Sequence, residues 1–445
     1  MKDGSQADPV SRRAFLKSAA GTTATAAILG FPTIVPSSVL GRPGSSGQVA
    51  PSNRITMALI GCGGMGRGDM GALMRYPEVQ FVAVCDPDLR QRTPARQSVL
   101  SHYAQQSQDG TYRGCDDYND FREVLARDDI DAVVQATPDH WHALVVTAAA
   151  RAGKDIYGEK PLSLTIAQGR IMSDAVRQYG RVFQTGSQQR SDGRFRFACE
   201  LVRNGRIGTV HRVTCGLPTT PTTGNHPPIP VPDGFDYDLW LGPAPWMPYC
   251  QNRTHWNFRW ILDYSGGQVT DWGAHHIDIA HWGLGLQNTG PVKVEGVGEY
   301  PADGLWDAAT NYRFVCKYDT GVELVATNNF ENGVKWEGDD GWVFANRGRI
   351  DAEPKSLLNE TIGPNEVHLP RSPGHHRNFL DCVASRREPI APIEQAHRTI
   401  TVAHLGNIAM QLGRRIRWDP DAETIIDDPT AARMVDRAMR EPWTL

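Results

Sequence analysis

Short apolar runs alternate with amphipathic stretches along the chain after its first fifty residues. Four runs have the length of β-strands: ITMALIG, QFVAVCD, DAVVQATP and KDIYGEKP. Three segments have apolar residues at helical spacing: from the first run to Arg75, from about Asp139 to Ala152, and from about Thr165 onward. Strands that alternate with helices in this way predict a parallel, doubly wound sheet.

The pattern changes beyond about Gln184. Strand-like runs now follow one another without helices between them, as in TVHRVTCGL, VKVEGVGEY, NYRFVCKY and VELVATNNF. A Pro-rich excursion between Pro218 and Pro248 is too long for a simple connection, and we expect it to form a lid or wall of a site. The predicted fold class is α/β: an N-terminal Rossmann domain, then an α+β domain with a large, mostly antiparallel open sheet.

Composition narrows the class of protein. The 445 residues suffice for two domains, and a net charge of −4 without a basic stripe argues against nucleic acid as a partner. The eight cysteines are scattered singly and form no Cys-x-x-Cys pair, which argues against a zinc knuckle or a redox dithiol.

The first residues are typical of an export signal. SRRAFLKSAA, Ser11 to Ala20, has the twin-arginine pattern, and the apolar stretch after it is too weak for a membrane-spanning helix. We therefore expect recognition by the twin-arginine export machinery, a periplasmic location and no stable membrane anchor. The predicted division is a signal peptide over 1–41, a linker over 42–53, an NAD(P)-binding domain over 54–181 and a substrate and oligomerisation domain over 182–445. Its C-terminal helices are expected to pack back on the Rossmann domain.

A glycine-rich turn after the first strand predicts a dinucleotide site. Gly61, Gly63 and Gly66 have the G-x-G-x-x-G spacing, which brings a pyrophosphate to the start of a helix. Asp86 ends the next strand about twenty residues later, where an acid binds the ribose hydroxyls and repels a 2′-phosphate. This favours NAD, while nearby Arg90 and Arg92 leave NADP as an alternative.

Other strand ends should reach the same site, because ligands gather at the carboxyl ends of parallel strands. The predicted cofactor-binding residues are Gly61, Gly63, Gly64, Met65, Gly66, Asp86, Thr137, Pro138, His142, Glu159 and Lys160.

The segment GGQVTDWGAHHIDIAHWGLG carries the candidate chemistry. As a helix from about Val269 it places Asp271, His275 and Asp278 on one face, at i, i+4 and i+7. A carboxylate and an imidazole stacked this way can orient a sugar hydroxyl and take its proton, and Lys160 supplies a cation for the alkoxide. Lys160, Asp271 and His275 are the predicted catalytic residues.

Two alternatives stay open for this segment. Three histidines and an acid within eleven positions (His275, His276, His281 and Asp271) also suit zinc, although no metal is our main expectation. We expect most of the tryptophans around the segment to lie in the hydrophobic core, and one or two to stack on an apolar face of the sugar.

Together these motifs resemble the glucose–fructose oxidoreductase and inositol dehydrogenase family, Gfo/Idh/MocA. The resemblance rests on the glycine turn, the Glu159-Lys160-Pro161 trio and the D-x-G-x-H-x-x-D segment, and it runs from about Arg54 to Trp443. It implies that Lys160, Asp271 and His275 form the catalytic trio and that Asp278 contacts substrate. Trp272 and His276 are further candidates for substrate contacts, and a homodimer or homotetramer is expected.

The leading interpretation is an exported enzyme that oxidises a secondary alcohol of a sugar, cyclitol or glycoside with a tightly bound nicotinamide cofactor. The alternative is an NAD-dependent glycosidase or lyase that oxidises a ring carbon transiently, with no net redox change. A ligand-binding protein without catalysis is disfavoured, because Lys160 and His275 would then be unnecessary together.

Overall fold

The structure is a computed structural model that describes residues 53–445. The twin-arginine segment, the signal peptide and the linker up to residue 52 lie outside the described residues. Across residues 53–445, no helix combines the length and the apolar character needed to cross a membrane.

The first sheet has six strands, all paired in parallel, in the order β3-β2-β1-β4-β5-β6. Its strands are β1 (Ile55–Ile60), β2 (Val79–Cys85), β3 (Asp116–Tyr118), β4 (Ala132–Gln135), β5 (Asp155–Gly158) and β6 (Phe183–Thr185). The helices between them are α1 (Gly64–Leu73), α2 (Leu89–His102), α3 (Ala104–Gln108), α4 (Phe121–Leu125), α5 (Asp139–Arg151) and α6 (Ile166–Gln178). The predicted doubly wound sheet is confirmed.

The helices of this half begin where local chemistry satisfies their first N–H groups. The side chains of Asp88 and Asp120 accept hydrogen bonds from the N–H groups of residues 90 and 122, and Thr165 accepts from Gln168. The strand β3 lacks an apolar run, since its three residues are Asp, Asp and Tyr, and the hydrophobic pattern therefore does not reveal it.

The second sheet has nine strands in the order β13-β12-β11-β7-β10-β9-β8-β14-β15. Its strands are β7 (Val210–Gly216), β8 (Lys293–Glu299), β9 (Asn311–Lys317), β10 (Glu323–Thr327), β11 (Gly333–Gly338), β12 (Gly341–Ala345), β13 (Ile350–Glu353), β14 (Ile416–Asp419) and β15 (Thr424–Ile426). All pairings are antiparallel except that of β7 with β10, which is parallel.

The helices α7 (Gly193–Arg203), α10 (Gly273–Leu284) and α12 (Ile393–Leu412) pack on this sheet. The same half contains α8 (Tyr237–Leu241), α9 (Gln268–Asp271), α11 (His375–Ser385) and α13 (Pro429–Ala432), of which α11 packs against α1 of the Rossmann half. The long helix α12 packs against α10 and β8 on one side and against α6 of the Rossmann half on the other. The helix predicted from about Val269 is two helices, α9 and α10, with Trp272 between them.

Candidate active site

A cavity of about 570 Å³ lies at the carboxyl ends of the first sheet, and the glycine turn forms one of its walls. Gly61 has a φ of +92°, and a Cβ there would come within 2.5 Å of the backbone of Ala136. A Cβ on Gly66 would lie 2.2 Å from the carbonyl oxygen of Gly61, so the helix α1 starts tight against the turn. Gly63 and Gly64 face open space, which leaves their backbone accessible to a ligand. These features fit a dinucleotide pyrophosphate.

Asp86 lines the same cavity at the end of β2. Its carboxylate accepts hydrogen bonds from the backbone N–H groups of Cys62 (2.8 Å) and Asp88 (2.9 Å), which fixes its orientation. Burial raises the pKa of Asp86 to about 6, despite those two hydrogen bonds. At neutral pH most of this carboxylate is ionised, at the strand end where the glycine fingerprint predicts a ribose-binding acid.

Arg90 and Arg92, which leave NADP as an alternative cofactor, are both bound to other groups of the protein. Arg90 forms a two-pronged ion pair with Asp88, with its Nη2 at 2.6 Å from Oδ2. Arg92 donates to the carbonyl oxygen of Asp86 at 2.7 Å and pairs with Asp117 at 2.9 Å. Neither guanidinium is free to receive a 2′-phosphate without losing these contacts, which strengthens the preference for NAD.

The remaining predicted cofactor residues divide into two groups. Met65, Thr137, Pro138, Glu159 and Lys160 line the cavity. His142 lies behind the cavity wall, with its Nε2 2.8 Å from the carbonyl oxygen of Thr137, so it supports the strand end. Burial lowers the pKa of His142 to about 4, which keeps the ring neutral.

Residues 218–248, which we call the strap, close the cavity at its Asp86 end. The N–H of Leu89 donates to the carbonyl of Gly234 (2.9 Å), and the N–H of Asp236 donates to the carbonyl of Pro87 (2.9 Å). The strap contributes Leu239 and Trp240 to the cavity lining. The predicted lid or wall is thus a wall that is hydrogen-bonded to the Rossmann half.

The C-terminal tail holds the strap in place. Gly242 approaches so close that a Cβ would lie 2.1 Å from the ring of Trp141, whose Nε1 donates to the carbonyl of Trp240 (2.9 Å). Arg440 donates to the carbonyl of Gly242, and the ring of Trp443 packs edge-on against Trp141 at 4.8 Å. Strap, tail and Rossmann helix α5 therefore form one packed layer beside the cavity.

Lys160 connects the two halves of the protein at the other end of the cavity. Its Nζ lies 2.7 Å from Oδ1 of Asp271, and Nε of Arg259 lies 3.3 Å from the same oxygen. Burial opposes the ionisation of Asp271, but the charges of Lys160 and Arg259 outweigh it and lower the pKa of the carboxyl. One ionised carboxylate therefore holds two cations beside the cavity.

His275 lies in the first turn of α10 and is buried. Its Nδ1 is enclosed and has no hydrogen-bond partner. Of the predicted catalytic residues only Lys160 lines the cavity; His275 and Asp271 lie outside its lining. Burial, followed by the positive charges of Lys160 and Arg347, lowers the pKa of His275 well below its usual value. The ring is therefore a neutral imidazole at neutral pH.

The structure does not bring the three predicted substrate contacts into the cavity. Both carboxylate oxygens of Asp278 are bound by Arg190, at 2.7 and 2.6 Å, because α10 turns this residue toward the protein interior. His276 is hydrogen-bonded to the side chain of Asn332. Trp272 packs under the guanidinium of Arg347, whose centre lies 4.7 Å from its ring.

The zinc alternative requires Asp271 of α9 and the three histidines of α10 to converge. Among residues 53–445 no group of three or more His, Cys, Asp or Glu side chains is arranged to hold a metal ion. His281 is instead hydrogen-bonded to the hydroxyl of Tyr318 at 2.6 Å, and His276 to Asn332. These contacts give both histidines a place in the core.

Three charged residues near the site were not singled out from the sequence. Asp139 follows Thr137-Pro138 at the end of β4 and lines the cavity, and the hydroxyl of Ser265 donates to its carboxylate at 2.5 Å. Its position at a strand end was a usable signal. Arg259 and Arg347 come from a 3₁₀ turn and a hairpin turn, and only the tertiary fold brings them to Asp271 and His275.

Sequence models of known families match most of the described chain. The model for "Oxidoreductase family, NAD-binding Rossmann fold" matches residues 55–187. The model for "Oxidoreductase family, C-terminal alpha/beta domain" matches residues 221–445. The chain belongs to the Gfo/Idh/MocA oxidoreductase family.

Individual relatives agree with this membership. The scyllo-inositol 2-dehydrogenase (NAD(+)) of Bacillus subtilis (strain 168) is 26% identical over 316 residues, which covers 67% of this chain and 80% of that protein. The uncharacterized oxidoreductase YrbE of the same organism is 29% identical over 172 residues, and the match spans 38% of this chain and 47% of YrbE. A glycosyl hydrolase family 109 protein of Shewanella pealeana is 30% identical over 162 residues, 35% of each chain.

A solved structure shares the fold. The WlbA dehydrogenase from Bordetella pertussis, in complex with NADH and UDP-GlcNAcA, superposes with a TM-score of 0.61 at 18% identity, covering 82% of this chain and 99% of that chain. The family models make the chain a member of an oxidoreductase family whose first domain is an NAD-binding Rossmann fold.

Proposed function

We propose that this protein is an exported dehydrogenase that oxidises a secondary alcohol of a sugar, cyclitol or glycoside with an NAD that stays bound. The observation that carries the proposal is the 2.7 Å contact between Lys160 and Asp271. This contact puts a cation from the end of a Rossmann strand beside an acid from the second half, next to the neutral ring of His275. Such a group can hold a hydroxyl at the end of a dinucleotide cavity.

The roles of the residues follow from their charges. Bound NAD supplies the hydride acceptor. Asp271 keeps Lys160 oriented, and the ammonium group of Lys160 stabilises negative charge on the substrate oxygen as its proton leaves. His275 takes that proton at Nε2, because its ring is neutral and the other nitrogen is enclosed.

The retention of NAD is supported by the wall beside the cavity. The strap is joined to Pro87 and Leu89 by backbone hydrogen bonds and is held from outside by Arg440 and Trp443. We expect this layer to slow the release of a dinucleotide. Bound cofactor must then be reoxidised in place, by a second substrate or within a redox-neutral cycle.

The proposal of export rests on the twin-arginine sequence at Arg12 and Arg13. That route carries folded proteins, so NAD can be enclosed before transport. Replacing both arginines with lysine should keep the protein in the cytoplasmic fraction, while the parent protein should appear in the periplasmic fraction. Parent protein confined to the cytoplasm would contradict export. Assembly as a homodimer or homotetramer stays a prediction, and light scattering on the purified protein tests it.

One experiment tests the enzyme itself. Extensively dialysed protein is denatured, and the released nicotinamide is quantified. A second sample is mixed with sugars, cyclitols and glycosides while absorbance at the NADH band is followed. We expect about one nicotinamide per chain and reduction of the bound NAD without added cofactor. The variant Lys160→Met is measured in the same two ways, and it should keep the nicotinamide but fail to reduce it. Protein that is empty and works only with added NAD would contradict retention; protein that reduces no NAD on any substrate would contradict the dehydrogenase.

A redox-neutral glycosidase or lyase is the second candidate. It is favoured by the relative from glycosyl hydrolase family 109. A cofactor that stays bound also suits a reaction that returns its hydride. Release of an aglycone with no accumulation of NADH would support this candidate. Accumulation of a keto product together with NADH would support the dehydrogenase.

A further inference from the structure

The cations around the candidate site outnumber the ionised carboxylates. Lys160 and Arg259 share one carboxylate, that of Asp271. Three acids line the cavity: Asp86 at the end of β2, and Asp139 and Glu159, whose pKa values burial raises to about 7 and about 8. At neutral pH Glu159 is mostly protonated and Asp139 is partly ionised, so at the end of the cavity away from Asp86 the cations outnumber the charged carboxylates.

Arg347 adds a further cation with no acid of its own. Within residues 53–445, no carboxylate lies within ion-pair distance of its guanidinium, which rests over the ring of Trp272 at 4.7 Å. With the Gln189 amide oriented to satisfy both neighbours, Gln189 accepts from Nε of Arg347 (3.3 Å) and donates to the carbonyl of His275 (3.1 Å). Arg347 is thereby tied to the residue that receives the substrate proton.

The turn that carries Arg347 is fixed, and its second arginine behaves differently. The side chain of Asn346 accepts hydrogen bonds from the N–H groups of Gly348 and Arg349, both at 2.8 Å. Arg349 pairs with Glu331 at 2.6 Å and with Asp351 at 2.9 Å. The two arginines on this turn therefore differ in their partners: Arg349 is paired with protein acids, whereas Arg347 contacts Gln189 and the ring of Trp272 and has no acid within ion-pair distance among residues 53–445.

A guanidinium without an acidic partner binds carboxylates well, because its planar fork matches both oxygens. Arg347 is solvent-exposed and lies outside the cavity lining, close enough to His275 for its charge to lower the pKa of that ring. We propose that the substrate is a sugar acid and that Arg347 binds its carboxylate, while Lys160 and His275 meet the hydroxyl that is oxidised. This inference rests on the proposed function and names the substrate class within it.

The competing explanation is that Arg347 only stabilises negative charge on the reacting oxygen. The two explanations differ in kinetics. A carboxylate anchor raises KM for acidic substrates alone when it is removed, whereas stabilisation of the alkoxide lowers kcat for every substrate. Binding through an ion pair also weakens as ionic strength rises.

The test uses purified holoprotein and matched pairs of hexoses and hexuronates of gluco, galacto and manno configuration, with the hexose 6-phosphates as a further arm. Reduction of bound NAD, with an artificial electron acceptor added to reoxidise it, gives kcat and KM, and calorimetry on holoprotein whose NAD is already reduced gives affinity without turnover. We expect a hexuronate to exceed its hexose at least about tenfold in kcat/KM. Arg347→Gln should abolish this preference by raising KM for the hexuronate, Arg347→Lys should restore part of it, and Arg349→Gln should change neither substrate.

Several results would overturn the inference. These are a hexose that equals or exceeds its hexuronate, a 6-phosphate preferred over both, or a loss of kcat in Arg347→Gln that is equal for acidic and neutral sugars. If no sugar reduces the bound NAD, the dehydrogenase proposal fails, and calorimetry still decides the inference. Hexuronate binding that is lost in Arg347→Gln supports it, and equal binding of hexose and hexuronate refutes it.

Discussion

Arg190 and Asp278 form a two-pronged ion pair inside the protein, with side chains only 2% and 3% exposed. Nε and Nη2 of the arginine lie 2.7 and 2.6 Å from the two carboxylate oxygens, and the hydroxyl of Thr399 lies 3.3 Å from one of them. The pair connects the segment after β6 with α10 and α12. Asp278 thus has a structural place, although the sequence pattern puts it on the catalytic face.

Asp278→Asn should therefore lower stability and leave substrate binding unchanged. Removing one partner of a buried ion pair leaves the other charge uncompensated, which costs about 3–5 kcal/mol. Denaturant unfolding measures the loss, and KM of the folded fraction measures substrate binding. Asp427→Asn, which breaks an exposed pair with Arg417, is the control and should cost less than about 1 kcal/mol. Unchanged stability with a raised KM would return Asp278 to the substrate.

The position of Asp278 shows that helical spacing does not determine which way a shared helix face points. The positions i, i+4 and i+7 do share a face, but the helix is interrupted at Trp272, and α10 is buried on all sides. A buried helix has no solvent face by which the direction of one stripe could be inferred. The partner that decides the matter, Arg190, is 88 positions away in the sequence.

The Rossmann half could be predicted in more detail, because its signals are local. Apolar runs of strand length, the glycines of the turn and the acid at the end of β2 are all read within short windows, and each appears where expected. The sequence indicates the strap only by the length of the segment and by its prolines. Its attachment to Leu89 and to the tail depends on contacts that no local pattern contains.

His275 and His276 offer a matched pair for testing the proton acceptor. His275→Ala should reduce hydride transfer by a factor of about 10² to 10⁴, as expected for loss of a positioned base. His276→Gln should keep most of the activity and lose about 1 kcal/mol of stability, because its hydrogen bond to Asn332 is structural. Single-turnover reduction of bound NAD compares the two. Equal losses of activity would show that the ring of His276 also serves the substrate.

Asp86→Ala should relax the preference for NAD over NADP. The carboxylate stands at the end of β2 in the cavity wall, and its charge repels a 2′-phosphate. In protein freed of its cofactor, the ratio of the affinity for NAD to that for NADP should fall at least about tenfold, which corresponds to about 1.4 kcal/mol. The ratio is the informative quantity, because the variant also loses the contacts to Cys62 and Asp88 that shape the loop. A ratio equal to that of the parent would exclude Asp86 from selecting the cofactor.

Asp139→Asn should stabilise the protein, and more so at pH 8 than at pH 5. Burial raises the pKa of Asp139 to about 7, whereas an unfolded aspartate titrates near about 3.9. Between these values the folded state binds more protons than the unfolded state, so this residue makes stability fall as pH rises. Asparagine has no such cost and can still accept the hydrogen bond from Ser265. Thermal unfolding at several pH values measures the difference, and a difference that is constant with pH would contradict the assignment.

Trp443→Ala should speed the release of bound NAD without damaging hydride transfer. The ring of Trp443 packs against Trp141, which also holds the strap through the carbonyl of Trp240. Removing the ring leaves a gap behind this layer, and we expect the dissociation rate of the cofactor to rise on the order of tenfold, a change of about 1.4 kcal/mol in the barrier. Trp246→Ala is the control, since this strap residue is 61% exposed and lies outside the cavity lining. The release rate is followed by dialysis against an NAD-scavenging enzyme, with single-turnover reduction measured on the portion still loaded.

If Trp443→Ala and Trp246→Ala both release NAD at the parental rate, the tail does not retain the cofactor. If Trp443→Ala instead lowers the rate of hydride transfer in loaded protein, the tail acts on the catalytic end of the cavity rather than on the strap.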